Sequence, residues 1–147
     1  MAGLQAVASN SGGVALIDAV NPKTVLQVVA PSNKGIRITR FAVLFDGTSS
    51  TAARPVVSCA RTSTNGTGTS LNPQKTKGHT GTVTATGFEN FTAEPTVAAG
   101  SSMYRQPVPP TAGVSVPVDI QLNPGEAFNV RVAANGINAT AFIDFEE

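Results

Sequence analysis

One cysteine, Cys59, stands in the 147 residues, so no disulfide can form within the chain. Tryptophan is absent, and Tyr104 is the only tyrosine. So few rings leave little for sugar stacking. With a net charge of +1 and no basic stripe, they also argue against a nucleic-acid partner. Charged residues make up 13%, against about 25% in an average domain. No apolar run reaches the about 18 residues of a membrane-spanning helix, so no membrane partner is expected. The N-terminus has neither the charged start nor the long apolar centre of a secretory signal. Synthesis in a cytosol and a reduced thiol are the expectation. Helical periodicity is missing over any window of about eleven residues.

What the chain has is threonine, serine, asparagine and glycine for a neutral surface, and short β-branched runs for a core. The longest run, 35–47, is bounded by Gly35 and Gly47. Ile36 and Ile38 alternate with Arg37 and Thr39; then the parity changes and Phe41, Val43 and Phe45 become the large apolar set. One extra residue near Thr39–Arg40, a β-bulge, would put all five on one face. The alternative is a strand buried on both faces from Phe41 onward. Either way the run reads as the central strand of a β-protein.

Further strands are expected at 14–19, ended by Asn21-Pro22, and at 24–30, 55–63 and 101–108, with a short one at 82–86. Between 114 and 122, Val114, Val116, Val118, Ile120 and Leu122 share one parity, and Pro117 on the other places that strand at an edge or a bulge. Asn123-Pro124-Gly125 fits a turn. Asn135-Gly136 reads as a two-residue hairpin turn, pairing Ala134 with Ile137, Val132 with Ala139, Val130 with Ala141 and Phe128 with Ile143. On the opposite face this leaves Phe142 diagonal to Arg131, as a ring under an arginine stem or an anchor against another chain. Eight to ten strands at such spacing indicate one all-β domain, a two-sheet sandwich or barrel over 14–147. Residues 1–13 form an extended N-terminal arm, a free tail or one docked on a neighbour; Leu4 and Val7 are its apolar groups. The segment 64–87, with Lys75, Lys77 and His79, is long enough to be an interaction element.

Chemistry is sparse. His79 lacks partners at metal-ligand spacing, so no metal site is expected. Cys59 lies mid-strand and reads as a buried thiol. The carboxylates Asp18, Asp46, Asp119 and Asp144 are scattered, with no dyad for glycoside hydrolysis, and there is no nucleophile elbow. No catalytic residue and no cofactor are assigned, and a hydrolase is the least favoured reading. A carbohydrate- or receptor-binding module is the stronger rival.

Val25-Leu26-Gln27-Val28-Val29-Ala30-Pro31-Ser32-Asn33-Lys34-Gly35-Ile36-Arg37-Ile38, running into Phe45-Asp46-Gly47-Thr48, resembles the small β-sandwich head proteins of tailed bacteriophages. Phe91-Thr92-Ala93-Glu94-Pro95-Thr96 and Phe142-Ile143-Asp144-Phe145-Glu146-Glu147 add to the likeness. Leu122-Asn123-Pro124-Gly125-Glu126 resembles the turn into a late strand of jelly-roll domains. The resemblance covers most of 14–147. It implies a jelly-roll-like β-sandwich and a capsid decoration, or cement, protein. Such a protein sits on the virion exterior, commonly as a homotrimer, is assembled in the host cytoplasm and binds the major capsid protein. The candidate contacts are Leu4, Val7, Lys75, Lys77, His79 and Phe142.

Overall fold

A computed structural model describes residues 3–10, 13–46, 54–77, 81–98 and 100–147. Among the described residues there is no helix. Ten strands run in chain order: β1 (Gln5–Ser9), β2 (Val14–Val29), β3 (Ile36–Phe45), β4 (Val56–Thr62), β5 (Thr67–Leu71), β6 (Gln74–Lys77), β7 (Thr86–Ala93), β8 (Ser102–Pro107), β9 (Gly113–Leu122) and β10 (Ala127–Glu146). All ten hydrogen-bond into one sheet, curled into a half-barrel. The all-β expectation holds at that level; of the sandwich or barrel expected, the structure shows one continuous sheet rather than two.

The spine of the sheet is β10, not the 35–47 run. Its residues 127–133 lie between β2 and β4, and beyond these come β7 and β8. Its residues 142–146 lie between β1 and β3, and beyond these come β6 and β9. The two halves face each other across one core. Phe41 of β3 meets Tyr104 of β8 edge-on at 5.6 Å and Phe128 of β10 at 5.9 Å.

The Asn135-Gly136 hairpin does not form. Both residues are exposed within the uninterrupted β10, at a shift in register. Pairing with β2 passes from Asn135↔Ile17 to Ile137↔Leu16, and Gly136, at φ 80°, has no partner. A one-residue bulge moves the apolar set from even to odd numbers, as the reversal would have done. Phe128, Val130, Val132 and Ala134 before it, and Ala139, Ala141, Ile143 and Phe145 after it, are all buried. With the hairpin goes the Arg131–Phe142 pairing. Arg131 lies opposite Thr24 and Ser58, and Phe142 opposite Ser9 and Ala42.

The bulge expected in β3 is present: Ile38 and Arg40 face the consecutive Phe145 and Asp144 of β10, leaving Thr39 as the extra residue, and Ile36, Ile38, Phe41 and Val43 are buried. Pro117 lies on an edge strand, because β9 pairs only with β3. The turn at Asn123-Pro124-Gly125 also forms, closed by Glu126 N–H to Asn123 O at 3.0 Å with Gly125 at φ 80°.

Asn21-Pro22 does not end a strand. β2 continues through it with a wide bulge, since Asp18 and Lys23 face Ala134 and Val132. The 64–87 segment carries β5 and β6, while 81–85 is not a strand.

Residues 5–9 are not a free arm. As β1 they pair with β10 of the same chain, burying Leu4, Ala6 and Ala8. Asn10 hands this edge of β10 from β1 to β2. Its side chain donates to Ala139 O and accepts from Ala141 N–H, both at 3.0 Å, copying a ladder pair. Asn10→Ala is expected to cost about 1–3 kcal/mol by leaving these buried groups unmatched. Urea denaturation and faster amide exchange at Ala141 would register it.

Candidate interaction surfaces

The outer faces of the two halves differ. In the first half, Gln27 and Asn129 point outward yet are fully buried, and the segment after β4 reaches Gln27 through Asn65. Gln27 Nε2 donates to Asn129 Oδ1 at 2.6 Å and to Asn65 O at 3.0 Å. Asn129 Nδ2 donates to Thr62 Oγ1 and Ala60 O, and Glu94 accepts the Thr24 N–H at 3.0 Å. That face is a polar layer sealed by its own loops.

Among the described residues, no such lid covers the outer face of the second half. Its register sets residues in rows. Ser9, Phe142, Ala42 and Ser115 make one; Val7, Asp144, Arg40 and Pro117 make the next. Val7 and Phe142, both half-buried, are therefore diagonal neighbours. Beside them runs a ladder of ion pairs: Arg40 Nε to Asp144 at 2.7 Å, Arg37 Nε to Asp119 at 2.7 Å, and Arg37 Nη1 to Glu146 at 3.4 Å. The Arg37 guanidinium holds the Asp119 carboxyl below the usual carboxylate range. Gln5, Thr39, Thr76 and Glu146 line an open groove of about 450 Å³ at this end.

Among the described residues, the most exposed large apolar groups lie where β2 bulges against β10. Ile17 is 82% and Val20 83% exposed. Ile17 is paired opposite Asn135 just before the wide bulge of β2, Val20 lies within the bulge, and the bulge is tied. Asp18 Oδ1 accepts the backbone N–H of Val20 at 2.8 Å and of Asn21 at 2.9 Å, and Oδ2 accepts the Asn21 side chain at 3.0 Å. The Asn21 and Val20 donors hold the Asp18 carboxyl below its ordinary value. Arg131 Nη2 adds a bond to Pro22 O at 3.1 Å. A ridge fixed in this way presents aliphatic surface with little entropy left to lose on contact.

The candidate contacts scatter. Leu4 is buried at 3% exposure, bonded through its backbone to Glu147. Lys75 and Lys77 are exposed on the edge strand β6, and His79 lies outside the described residues. Val7 and Phe142 come together across β1 and β10. The Ile17–Val20 ridge was missed, since a strand at 14–19 gave no reason to expose two aliphatics. The one available signal was Leu16 beside Ile17, which cannot both face inward.

Little here is reactive. Burial pushes the Cys59 thiol up to about 12, so it stays protonated near neutrality. Among the described residues no three His, Cys, Asp or Glu side chains are grouped to hold a metal. One carboxylate is tightly bound. Glu147 accepts Lys34 Nζ at 2.7 Å, the backbone N–H of Thr84 at 2.9 Å and of Ala85 at 3.0 Å, and the Thr84 hydroxyl. Burial raises this carboxyl, and the Lys34, Thr84 and Ala85 donors outweigh that, leaving it below 4.5. Compared with known proteins, the chain matches no family model, no curated protein and no solved structure.

Proposed function

We propose that this chain is a structural virion protein, a capsid decoration or cement protein that binds the outside of a phage head. In this reading the curled sheet is a form of the jelly-roll-like sandwich of such head proteins. Homotrimers, assembled in the host cytoplasm, bridge copies of the major capsid protein.

The observation that carries the reading is the tied apolar ridge of Ile17 and Val20. Fully burying an aliphatic side chain of this size contributes about 1.5–3 kcal/mol, and here that gain is withheld until a partner arrives. Single exposed aliphatics are ordinary; two together, one beside and one within a bulge locked by four hydrogen bonds, are a built contact. The mechanism is linkage: a ligand that binds only the assembled lattice shifts stability toward it, and joined copies add avidity.

Purified protein is expected to bind expanded capsids and raise their melting temperature. The double variant Ile17→Asp, Val20→Asp is expected to lose that binding with its own thermal midpoint unchanged. A wild-type chain that neither binds capsids nor self-associates would end this reading. The polar groove beside Arg40 and Asp144 favours a second reading, a carbohydrate- or receptor-binding module. A glycan array with clear hits and no capsid binding would select it.

A further inference from the structure

The chain contains two Asn-Gly pairs, Asn65-Gly66 and Asn135-Gly136. The second is a strong turn signal that the fold does not use for a turn. We propose that Asn135 is a site of spontaneous backbone-assisted deamidation in the native protein, and that Asn65 is protected from it.

The chemistry needs nothing beyond the chain and water. The backbone nitrogen of the glycine, losing its proton, attacks Cγ of the asparagine. An N–Cγ bond forms, the Cγ–Nδ2 bond breaks, and the amide leaves as ammonia after taking up a proton. Water then opens the five-membered succinimide. Attack at Cγ gives aspartate. Attack at the main-chain carbonyl gives isoaspartate, in which the backbone runs through the former side chain. No oxidant or reductant is consumed.

Ring closure requires the asparagine carbonyl and the next peptide plane to rotate, so local restraint decides the rate. The two sites differ there. Around Gly136 nothing lies within 4 Å of the space a Cβ would fill, and the register skips the residue. Around Gly66 that space is hemmed by backbone: Ala93 O at 2.5 Å, Pro95 N at 2.7 Å and Glu94 C at 2.9 Å. Asn65 O is also held by the buried Gln27 amide at 3.0 Å. All four residues are exposed, so access does not separate the sites. Restraint does.

The product matters because of where it falls. Asn135 pairs with Ile17, and the neighbouring Ala134 with Asp18. Deamidation puts a new carboxylate beside the ridge, and isoaspartate adds a backbone atom at the bend between the two halves. The reaction itself is independent of what the ridge binds.

The test is to incubate the purified full-length chain at mildly alkaline pH and follow both sites by peptide mapping and mass spectrometry. In native buffer, Asn135 is expected to convert roughly tenfold faster than Asn65, since ring closure at Asn65 must await local opening. In concentrated urea the two rates are expected to converge, because both are Asn-Gly. Asn135→Gln is expected to abolish conversion at that site and leave the Asn65 rate unchanged. Equal native rates, or Asn65 leading, would overturn the proposal. So would a rate gap that persists in urea, which would assign the difference to flanking sequence.

Discussion

Phe41→Ala is expected to lower the stability of the isolated chain by about 3–5 kcal/mol, the cost of emptying a closed aromatic site. Phe41 is fully buried on β3 and touches Phe128 and Tyr104, which belong to the other half of the curled sheet. Its removal opens a cavity where the halves meet and deletes two ring contacts, each worth about 0.5–1.5 kcal/mol beyond area burial. At about 2–4 °C per kcal/mol for a chain of this size, the thermal midpoint should fall by roughly 6–20 °C. Phe41→Leu keeps most of the volume but loses both ring contacts, and should cost less than Phe41→Ala, about 1–3 kcal/mol. Urea denaturation checks both. A Phe41→Ala loss below about 1 kcal/mol, the range of an ordinary substitution, would mean the halves are not held through this ring.

The second large effect is at Glu147. This carboxylate joins the end of the sheet to Thr84, Ala85 and Lys34, and its backbone pairs with Leu4 ahead of β1. Glu147→Ala is expected to cost about 2–4 kcal/mol, because the two backbone donors lose a charged acceptor. Its folded carboxyl lies below 4.5, so the charged form is the one the fold favours. That contribution is complete above the ordinary carboxylate value and is lost as pH falls through the lowered folded value. The stability gap between wild type and Glu147→Gln should therefore be constant near neutrality and close in acid. Urea midpoints of both proteins from neutral pH down to about pH 3 give the measurement. A gap that widens in acid would reverse the sign assigned to this group.

Local pattern made much of the fold legible. The β3 bulge was readable, beside a strand buried on both faces, because Ile36 and Ile38 differ in parity from Phe41 and Val43 and an inserted residue reconciles them. The edge position of β9 followed from Pro117, which has no N–H to give a second neighbour. The turn at Asn123-Pro124-Gly125 needs one proline and one positive-φ glycine, both set locally. Of the surface, Val7 and Phe142 could be named one at a time, but not as neighbours. Their adjacency depends on β1 pairing with β10, from opposite ends of the sequence.

The same logic shows why the spine was hidden. Alternation alone marks this as an all-β chain and sorts Phe128, Val130, Val132 and Ala134 with Ala139, Ala141, Ile143 and Phe145 on the buried side. It could not determine how the chain passes Asn135-Gly136, because a reversal and a one-residue bulge produce the same change of parity. Tertiary structure decided between them. β2 offers β10 a partner on both sides of the bulge, β4 and β3 complete the other edge, and Asn10 fills the gap before β1. Side-chain alternation is a local property of the backbone, whereas the choice of hydrogen-bond partner depends on strands far away in sequence. The exposure of Val20 was settled in the same way, by the bulge that β2 makes between Asp18 and Lys23, whereas Ile17 is exposed by plain alternation with the buried Leu16.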